Sequence, residues 1–382
     1  MEFTYSVPTK VIFGPGTLSQ LAAVALPGRR ALLCCTPGER SRCLERVQTL
    51  LRQNGVETTL YGAVQPNPTD EGVRTAAALG RAAGVDFVIG LGGGSSIDTA
   101  KAAALLLASG GDVWDYVSCN PQAKTAQKAL PLVAISTTAG TGPEFDPCAV
   151  LSRELTYEKT DIYAPDCLFP TLTIVDPELH TSLPADLTAW QGMDVLFHAA
   201  EGYLSSWATP VSELYSLQAL ALVAEHLPAA VRNGDDLSAR EGMALANFYA
   251  GMVESNSNCA SPHALAHALG AYHPTIPHGA ALCLVCRECF RRFAETDPDR
   301  MADMAQAVSY GHTADDFVVF LEDLLEEIGM DDIDYTPWGV TPANARAYAE
   351  NSFSVTGMLH ESDRHPMTVD ECEEIFRKSL ER

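Results

Sequence analysis

Apolar and polar positions follow two different rhythms in the two halves of the chain. In the first half, short apolar runs alternate with amphipathic stretches. Val11–Ile12–Phe13 ends in the turn Gly14–Pro15–Gly16, and a helical pattern follows with Leu18, Leu21 and Ala22 on one face. Arg30–Cys35 reads as a buried strand, 41–51 as a helix with Leu44, Val47, Leu50 and Leu51 inward, and Thr58–Tyr61 as a further strand. Asn67–Pro68 leads into a helix that Thr69 or Asp70 can cap and that Val73, Ala76, Ala77 and Leu79 continue. Asp86–Leu91 is the next buried strand, and Leu172–Val175 the last clear one before Asp176–Pro177. Strands alternating with helices predict a Rossmann-like α/β domain, its parallel sheet covered on both faces.

After Pro184 the strand signals vanish. Helices are predicted over 212–230, 240–253, 314–328 behind Thr313 with Gly329 as a stop, and 369–380 behind Thr368. A chain of 382 residues exceeds one compact core. The pattern therefore predicts an α/β domain over residues 1–182 and an all-α domain over 183–382.

Two turns in the first domain carry candidate chemistry. Gly92–Gly93–Gly94–Ser95–Ser96 follows a strand directly and opens a helix through Ile97–Asp98–Thr99–Ala100–Lys101. Glycines there let the backbone approach a diphosphate, and a helix start offers free N–H groups and partial positive charge. The spacing is neither the usual dinucleotide fingerprint nor a Walker A loop, and a tight turn without a ligand is the plain alternative. Ile135–Ser136–Thr137–Thr138–Ala139–Gly140–Thr141–Gly142 is a second small-residue turn after a strand, with hydroxyls that could reach ribose, phosphate or nicotinamide.

In the second domain, Asp194 and His198 are four apart, as are His263 and His267, and Pro277–His278–Gly279 follows. Residues four apart share one face of a helix. A lone histidine on such a face is usually a satisfied core residue. Four histidines between 263 and 278, beside an Asp-x3-His helix, point instead to a metal cage. One carboxylate and three imidazoles, from Asp194, His198, His263 and His278, suit iron, manganese, cobalt or zinc.

A net charge of −24 argues against nucleic acid or an anionic membrane as partner. Met1–Glu2–Phe3–Thr4 starts acidic and polar with no apolar h-region, and the longest apolar runs, such as Ala102–Ala108, fall short of a membrane span. The eleven cysteines are then expected to be reduced thiols of a cytoplasmic protein. Cys283, Cys286 and Cys289 have cluster-like spacing but lie in an apolar helical stretch, which favours packing.

These motifs, in this order, resemble the iron-containing (group III) alcohol dehydrogenases nearly end to end. The likeness includes Lys10–Gly14, Asn67–Pro68–Thr69, Gly92–Lys101, Thr137–Gly142, Gly192–Met193–Asp194, His198–Ala199, His263–Ala264, Ala266–His267 and Pro277–His278–Gly279. The resemblance implies a dehydroquinate synthase-like fold, with NAD or NADP bound by the first domain and iron(II), or zinc, by the second. It implies that Asp194, His198, His263 and His278 ligate the metal, with His267 beside it as a candidate proton relay. Gly92, Gly93, Gly94, Ser95 and Asp98 would serve the diphosphate. Thr36, Thr137, Thr138 and Lys159 would meet other parts of the cofactor. The implied reaction is hydride transfer between the nicotinamide and a short-chain alcohol or aldehyde, in a homo-oligomer. A maleylacetate reductase, suggested by Thr36–Pro37, and a dehydroquinate synthase-like lyase are the alternatives. The first typically lacks the full metal cage. The second needs a basic phosphate pocket, and the helical half is poor in Lys and Arg.

The chain departs from the family in three places. Thr36 stands where many NAD-preferring members have an Asp, so a 2′-phosphate is not repelled there. Arg40 would favour NADP and Glu39 would oppose it. Glu254 stands where an aromatic often lines the pocket, which predicts a pocket suited to a polar aldehyde unless Glu254 faces solvent. Pro143, Asp146 and Cys148 differ from the usual residues after the threonine-rich turn, and His273 is expected to be no ligand.

Overall fold

The computed structural model describes residues 2–39 and 43–381. The chain divides into two compact units. One comprises Val7–Arg153 and Thr160–Ser182. The other comprises residues 2–6, Glu154–Lys159 and 183–381.

The first unit is built on β1 (Lys10–Phe13), β2 (Arg30–Cys35), β3 (Glu57–Tyr61), β4 (Phe87–Gly92), β5 (Leu132–Ser136) and β8 (Leu172–Val175), with the pair β6 (Cys148–Arg153) and β7 (Glu158–Tyr163) apart. The large sheet has the order β1-β8-β5-β4-β2-β3, and its strand pairs are parallel. Its helices are α1 (Leu44–Gln53), α2 (Asp70–Ala83) and α3 (Gly94–Ser109). Leu32, Cys34 and Val88 pack with α2 and α3 on one face, whereas Leu33, Cys35 and Ile89 pack with α1 on the other. Strands buried on both faces are what a near-continuous apolar run encodes. Thr69 caps α2 through Gly72 N–H, and Gly84 ends it in the left-handed conformation.

Three elements differ from the sequence expectation. The Leu18–Leu21 segment is a 3-10 helix, Thr17–Ala22, because Asp176 accepts N–H bonds from Gly16 and Leu18 and tightens the turn. The 41–51 helix starts at Leu44, and Arg40, with residues 41 and 42, lies outside the described residues. The β6–β7 pair was not expected, since β7 reads Glu-Lys-Thr-Asp-Ile-Tyr and its charges disguise a strand. The turn of that pair, Glu154–Lys159, groups with the helical unit, where Tyr157 stacks on Tyr272.

The helical unit contains α4 (Ala185–Leu204), α5 (Pro210–Arg232), α6 (Leu237–Ser257), α7 (Ser261–Tyr272), α8 (His278–Thr296), α9 (Pro298–Ala307), α10 (Ala314–Glu327), α11 (Ala345–Glu361) and α12 (Val369–Leu380). Thr209, Thr313 and Thr368 form capping boxes at α5, α10 and α12. By length and composition alone, α5 could cross a bilayer. It packs one face against α4 and α6 and carries Glu213, Pro228 and Arg232, as a partly buried helix of the bundle does. From Gly192 to Leu204, α4 is buried at every position. It is the central rod of the unit.

Candidate metal centre and cofactor loop

Helix α4 sets Asp194, His198 and Glu201 on one buried face by steps of four and three. Helix α7 contributes His263 and His267, and α8 opens at His278. A side chain at Gly279 would strike the Trp190 carbonyl of α4, so glycine is what lets α8 begin against α4 and delivers His278. Asp194 Oδ1 is the common neighbour. It lies 3.4 Å from His263 Nε2, 3.6 Å from His198 Nδ1 and 3.7 Å from His278 Nε2. Asp194 Oδ1 and His263 Nε2 are buried and have no hydrogen-bond partner. Donors about 2.1 Å from one ion stand roughly 3.4 Å apart in a tetrahedron, so Asp194, His263 and His278, all mutually within 4.8 Å, fit a shared cation, whereas His198 groups within that limit with Cys259 and His263 instead. Asp194 Oδ1 and His263 Nε2 face each other, and either a shared proton or a cation satisfies the pair.

His267 is buried beside this group, its ring centre 5.4 Å from that of His278, and its Nδ1 has no hydrogen-bond partner. Burial first, then the charge of Lys159 and the neighbouring imidazoles, hold the pKa of His267 and His278 well below the usual range. Both are neutral imidazoles with lone pairs to offer. Lys159 is buried against α7, in reach of the position a Gly270 side chain would take.

Sequence reasoning missed Glu201. Its Oε1 pairs with His263 Nδ1 at 2.7 Å, and its Oε2 accepts the Ala260 N–H at 2.7 Å and the His263 N–H at 3.4 Å. It caps α7 and fixes the His263 tautomer with Nδ1 protonated, which leaves Nε2 as the acceptor. Burial raises the Glu201 pKa, while His263 and the two N–H groups pull it back. Burial alone would lower His263, but Cys259, Glu201 and Asp194 outweigh it and hold its pKa up, so Nε2 becomes an acceptor for a cation by giving up its proton. The signal for Glu201 was present as the third residue of the Asp194–His198 face. Cys259 was missed too: it precedes α7, so helical spacing does not reach it.

Glu254 turns inward on α6, with Oε2 3.7 Å from His198 Nε2. His273 ends α7 and bonds to Tyr348 Oη through Nε2, away from the cluster. Cys283, Cys286 and Cys289 are buried and free on α8.

In the α/β unit, α3 starts at Gly94 without a side-chain cap. Gly92, at the end of β4, has φ 140°, a conformation that favours glycine. A side chain at Gly93 would come within 2.7 Å of Thr138 Oγ1, and one at Gly94 would strike Thr141. The two small-residue turns therefore lie against each other beside the start of α3, with Ser95 half-buried in its first turn. Thr36 follows β2, whose Cys35 pairs with Leu91 next to Gly92. Glu39 is buried at the same edge, accepting bonds from Thr137 Oγ1 at 3.0 Å and from Cys43 Sγ at 3.1 Å. Asp98 is held by β6, its carboxylate accepting the Val150 N–H. Asp146, one of the departures from the family pattern, pairs with the buried Lys101 at 2.8 Å, and Lys101 also donates to the carbonyls of Asp146 and Cys148. This clamp ties the segment after the threonine turn to α3.

An uncapped helix start behind a glycine turn, and a separate cluster of one carboxylate and three imidazoles, are the two places with candidate chemistry. The comparisons give the chain's family. Residues 8–177 match the family described as iron-containing alcohol dehydrogenase, and residues 188–380 match the C-terminal region of the same family. The chain belongs to the iron-containing alcohol dehydrogenases. It is 31% identical to the NAD-dependent methanol dehydrogenase of Bacillus methanolicus, covering 98% of this chain and 99% of that protein. It is 36% identical to 1,3-propanediol dehydrogenase of Klebsiella pneumoniae, over 80% of this chain and 79% of the relative. An archaeal halo-thermophilic alcohol dehydrogenase from a Red Sea brine pool superposes with a TM-score of 0.94 at 31% identity, covering 100% and 99% of the two chains. Sulfoacetaldehyde reductase of Bifidobacterium kashiwanohense, solved with NAD+, superposes with a TM-score of 0.87 at 28% identity, covering 99% and 98%. The protein is thus an oxidoreductase acting between alcohols and aldehydes, in a family that uses iron with NAD.

Proposed function

We propose that the protein is a cytoplasmic, homo-oligomeric reductase of short polar aldehydes that uses NADH and one iron(II). Asp194, His198, His263 and His278 hold the ion. The observation that carries this reading is the convergence of those donors on Asp194 Oδ1, two of them buried without a partner. When bound, the ion supplies Lewis acidity toward a carbonyl or alcohol oxygen, and NADH supplies hydride. The chain's own residues do the rest. Glu201 orients His263. His267, neutral and buried, would act as a relay, taking a proton from solvent on one ring nitrogen as the other gives one to the nascent alcohol, and the reverse in oxidation.

Gly92, Gly93, Gly94 and Ser95 hold the diphosphate on the α3 N-terminus, Thr36, Thr137 and Thr138 line the same edge, and Asp98 steadies α3 through β6. Lys159 supplies positive charge to the ribose region of the cofactor. Glu39, four residues past β2 and held by Thr137 and Cys43, puts negative charge at this edge and so supports NAD over NADP. Glu254 supports the polar substrate class: its carboxylate beside His198 offers a hydroxyl or other donor a partner that an aromatic would not.

Anoxic reconstitution with iron(II), followed by a panel of aldehydes with NADH and NADPH, tests the reading. Polar short aldehydes with NADH are expected to give the highest kcat/KM. Glu254→Phe is expected to shift the ratio of 3-hydroxypropanal to propanal reduction toward propanal by about tenfold, the worth of one polar contact. An unchanged ratio would remove Glu254 from the pocket.

A further inference from the structure

The cage has a second side. The Cys259 Sγ, one ring nitrogen of His198 and one of His263 lie within 4.8 Å of one another, and all three residues are buried. His263 can offer only Nε2, because Nδ1 is taken by Glu201. Glu254 Oε2 stands 3.7 Å from His198 Nε2, the same spacing that separates Asp194 Oδ1 from His278 Nε2. Cys259 reaches this place because the α6–α7 junction is strapped down on all sides. Asn258 takes φ 61°, Ser205 Oγ donates to the Ser257 carbonyl at 2.6 Å, Ser362 Oγ donates to the Cys259 carbonyl, and Glu201 holds the Ala260 N–H.

We propose that His198, His263 and Cys259 form a second, softer cation site that overlaps the Asp194–His278 site and accepts zinc through a Cys259 thiolate, with Glu254 beside His198. The two sites share two imidazoles, so only one fills at a time. Thiolate favours zinc, whereas carboxylate with three imidazoles also suits iron(II). On zinc binding the Sγ–H bond breaks, the Sγ–Zn bond forms, and the proton leaves to solvent; no electron is transferred. Three protein donors, one of them a thiolate, give a zinc site of different composition from the carboxylate and imidazole set. Without a cation, Cys259 packs against Ala264 and Leu359 as a small apolar residue.

The inference rests on the proposed metal reading, because it borrows His198 and His263 from it. X-ray absorption separates the two. In protein loaded with one equivalent of zinc, a sulfur shell is expected at about 2.3 Å beside nitrogen and oxygen near 2.0–2.1 Å. Iron(II)-loaded protein is expected to show nitrogen and oxygen alone. The sulfur shell is expected to vanish in Cys259→Ser and to survive in Cys283→Ser. Cys259→Ser should weaken zinc at least about tenfold and leave iron(II) within about twofold, measured by chelator competition. A zinc spectrum without sulfur in the wild-type protein, or a sulfur shell lost in Cys283→Ser, overturns the inference and leaves the iron site standing. Should Cys259→Ser not fold, the wild-type and Cys283→Ser spectra still decide it. Failure of iron(II) to bind at all would sink the proposed function instead.

Discussion

Replacing Glu201 probes the metal centre without touching a ligand. The carboxylate is fully buried and makes three bonds, to His263 Nδ1 and to the N–H groups of Ala260 and His263. Glu201→Ala leaves these donors without acceptors and opens a cavity. Hydrogen bonds to a charged group are worth roughly 1.5–3 kcal/mol, and removing one partner of a buried pair costs about 3–5 kcal/mol. The apo protein should therefore lose about 3–5 kcal/mol of stability in urea unfolding. Glu201→Gln is more telling. Its amide can present oxygen to His263 Nδ1 or to Ala260 N–H, but not to both. If it serves Ala260, its NH2 faces Nδ1 and drives the proton to Nε2, where the lone pair for the cation should be. Iron(II) affinity, measured by competition with a chromophoric chelator, should fall about 10–100-fold for Gln. The stability loss for Gln should be clearly smaller than for Ala. Wild-type iron affinity in both variants would refute the claim that Glu201 fixes the His263 tautomer.

Further outcomes follow from the same geometry. Lys101→Met should destabilise the apo protein by about 3–5 kcal/mol in urea, since it strands the buried Asp146 carboxylate. Gly279→Ala should cost roughly 1–3 kcal/mol by forcing α8 off the Trp190 carbonyl, and should also lower iron occupancy measured by metal analysis. Glu144 is buried and its pKa is pushed up to about 7, mainly by burial. The unfolded state therefore releases this proton first as pH rises. Stability is full below about pH 4.5, falls through the folded pKa near 7, and is lower by roughly 3 kcal/mol above it. Glu144→Gln should flatten the fall between pH 5 and pH 8 in urea titrations.

The parts that the sequence made legible are those encoded by one element at a time. Apolar runs such as Asp86–Leu91 announced parallel strands because both faces are buried, and Thr69, Thr313 and Thr368 marked helix starts because a hydroxyl there meets a free N–H. Asp194–His198 and His263–His267 were visible because spacing of four is local. What escaped depends on contacts between distant residues. Glu201 looked like any helical acid until α7 laid its first N–H groups and His263 against it, 59 and 62 positions further on. Asp146 read as an anomaly after the threonine turn until Lys101, 45 residues earlier, was found buried against it. The strand β7 hid behind its charges because one of them, Lys159, is itself buried inside the fold beside Thr160. Cys259 is the sharpest case. Its neighbours in sequence are polar and suggest a loop, yet the junction is held so firmly by Ser205, Ser362 and Glu201 that its sulfur stands among the imidazoles. Motif spacing defines the ligands a family shares. The donors that set one member apart arrive through the straps around the motif, and there the choice between iron and zinc in this chain is to be tested.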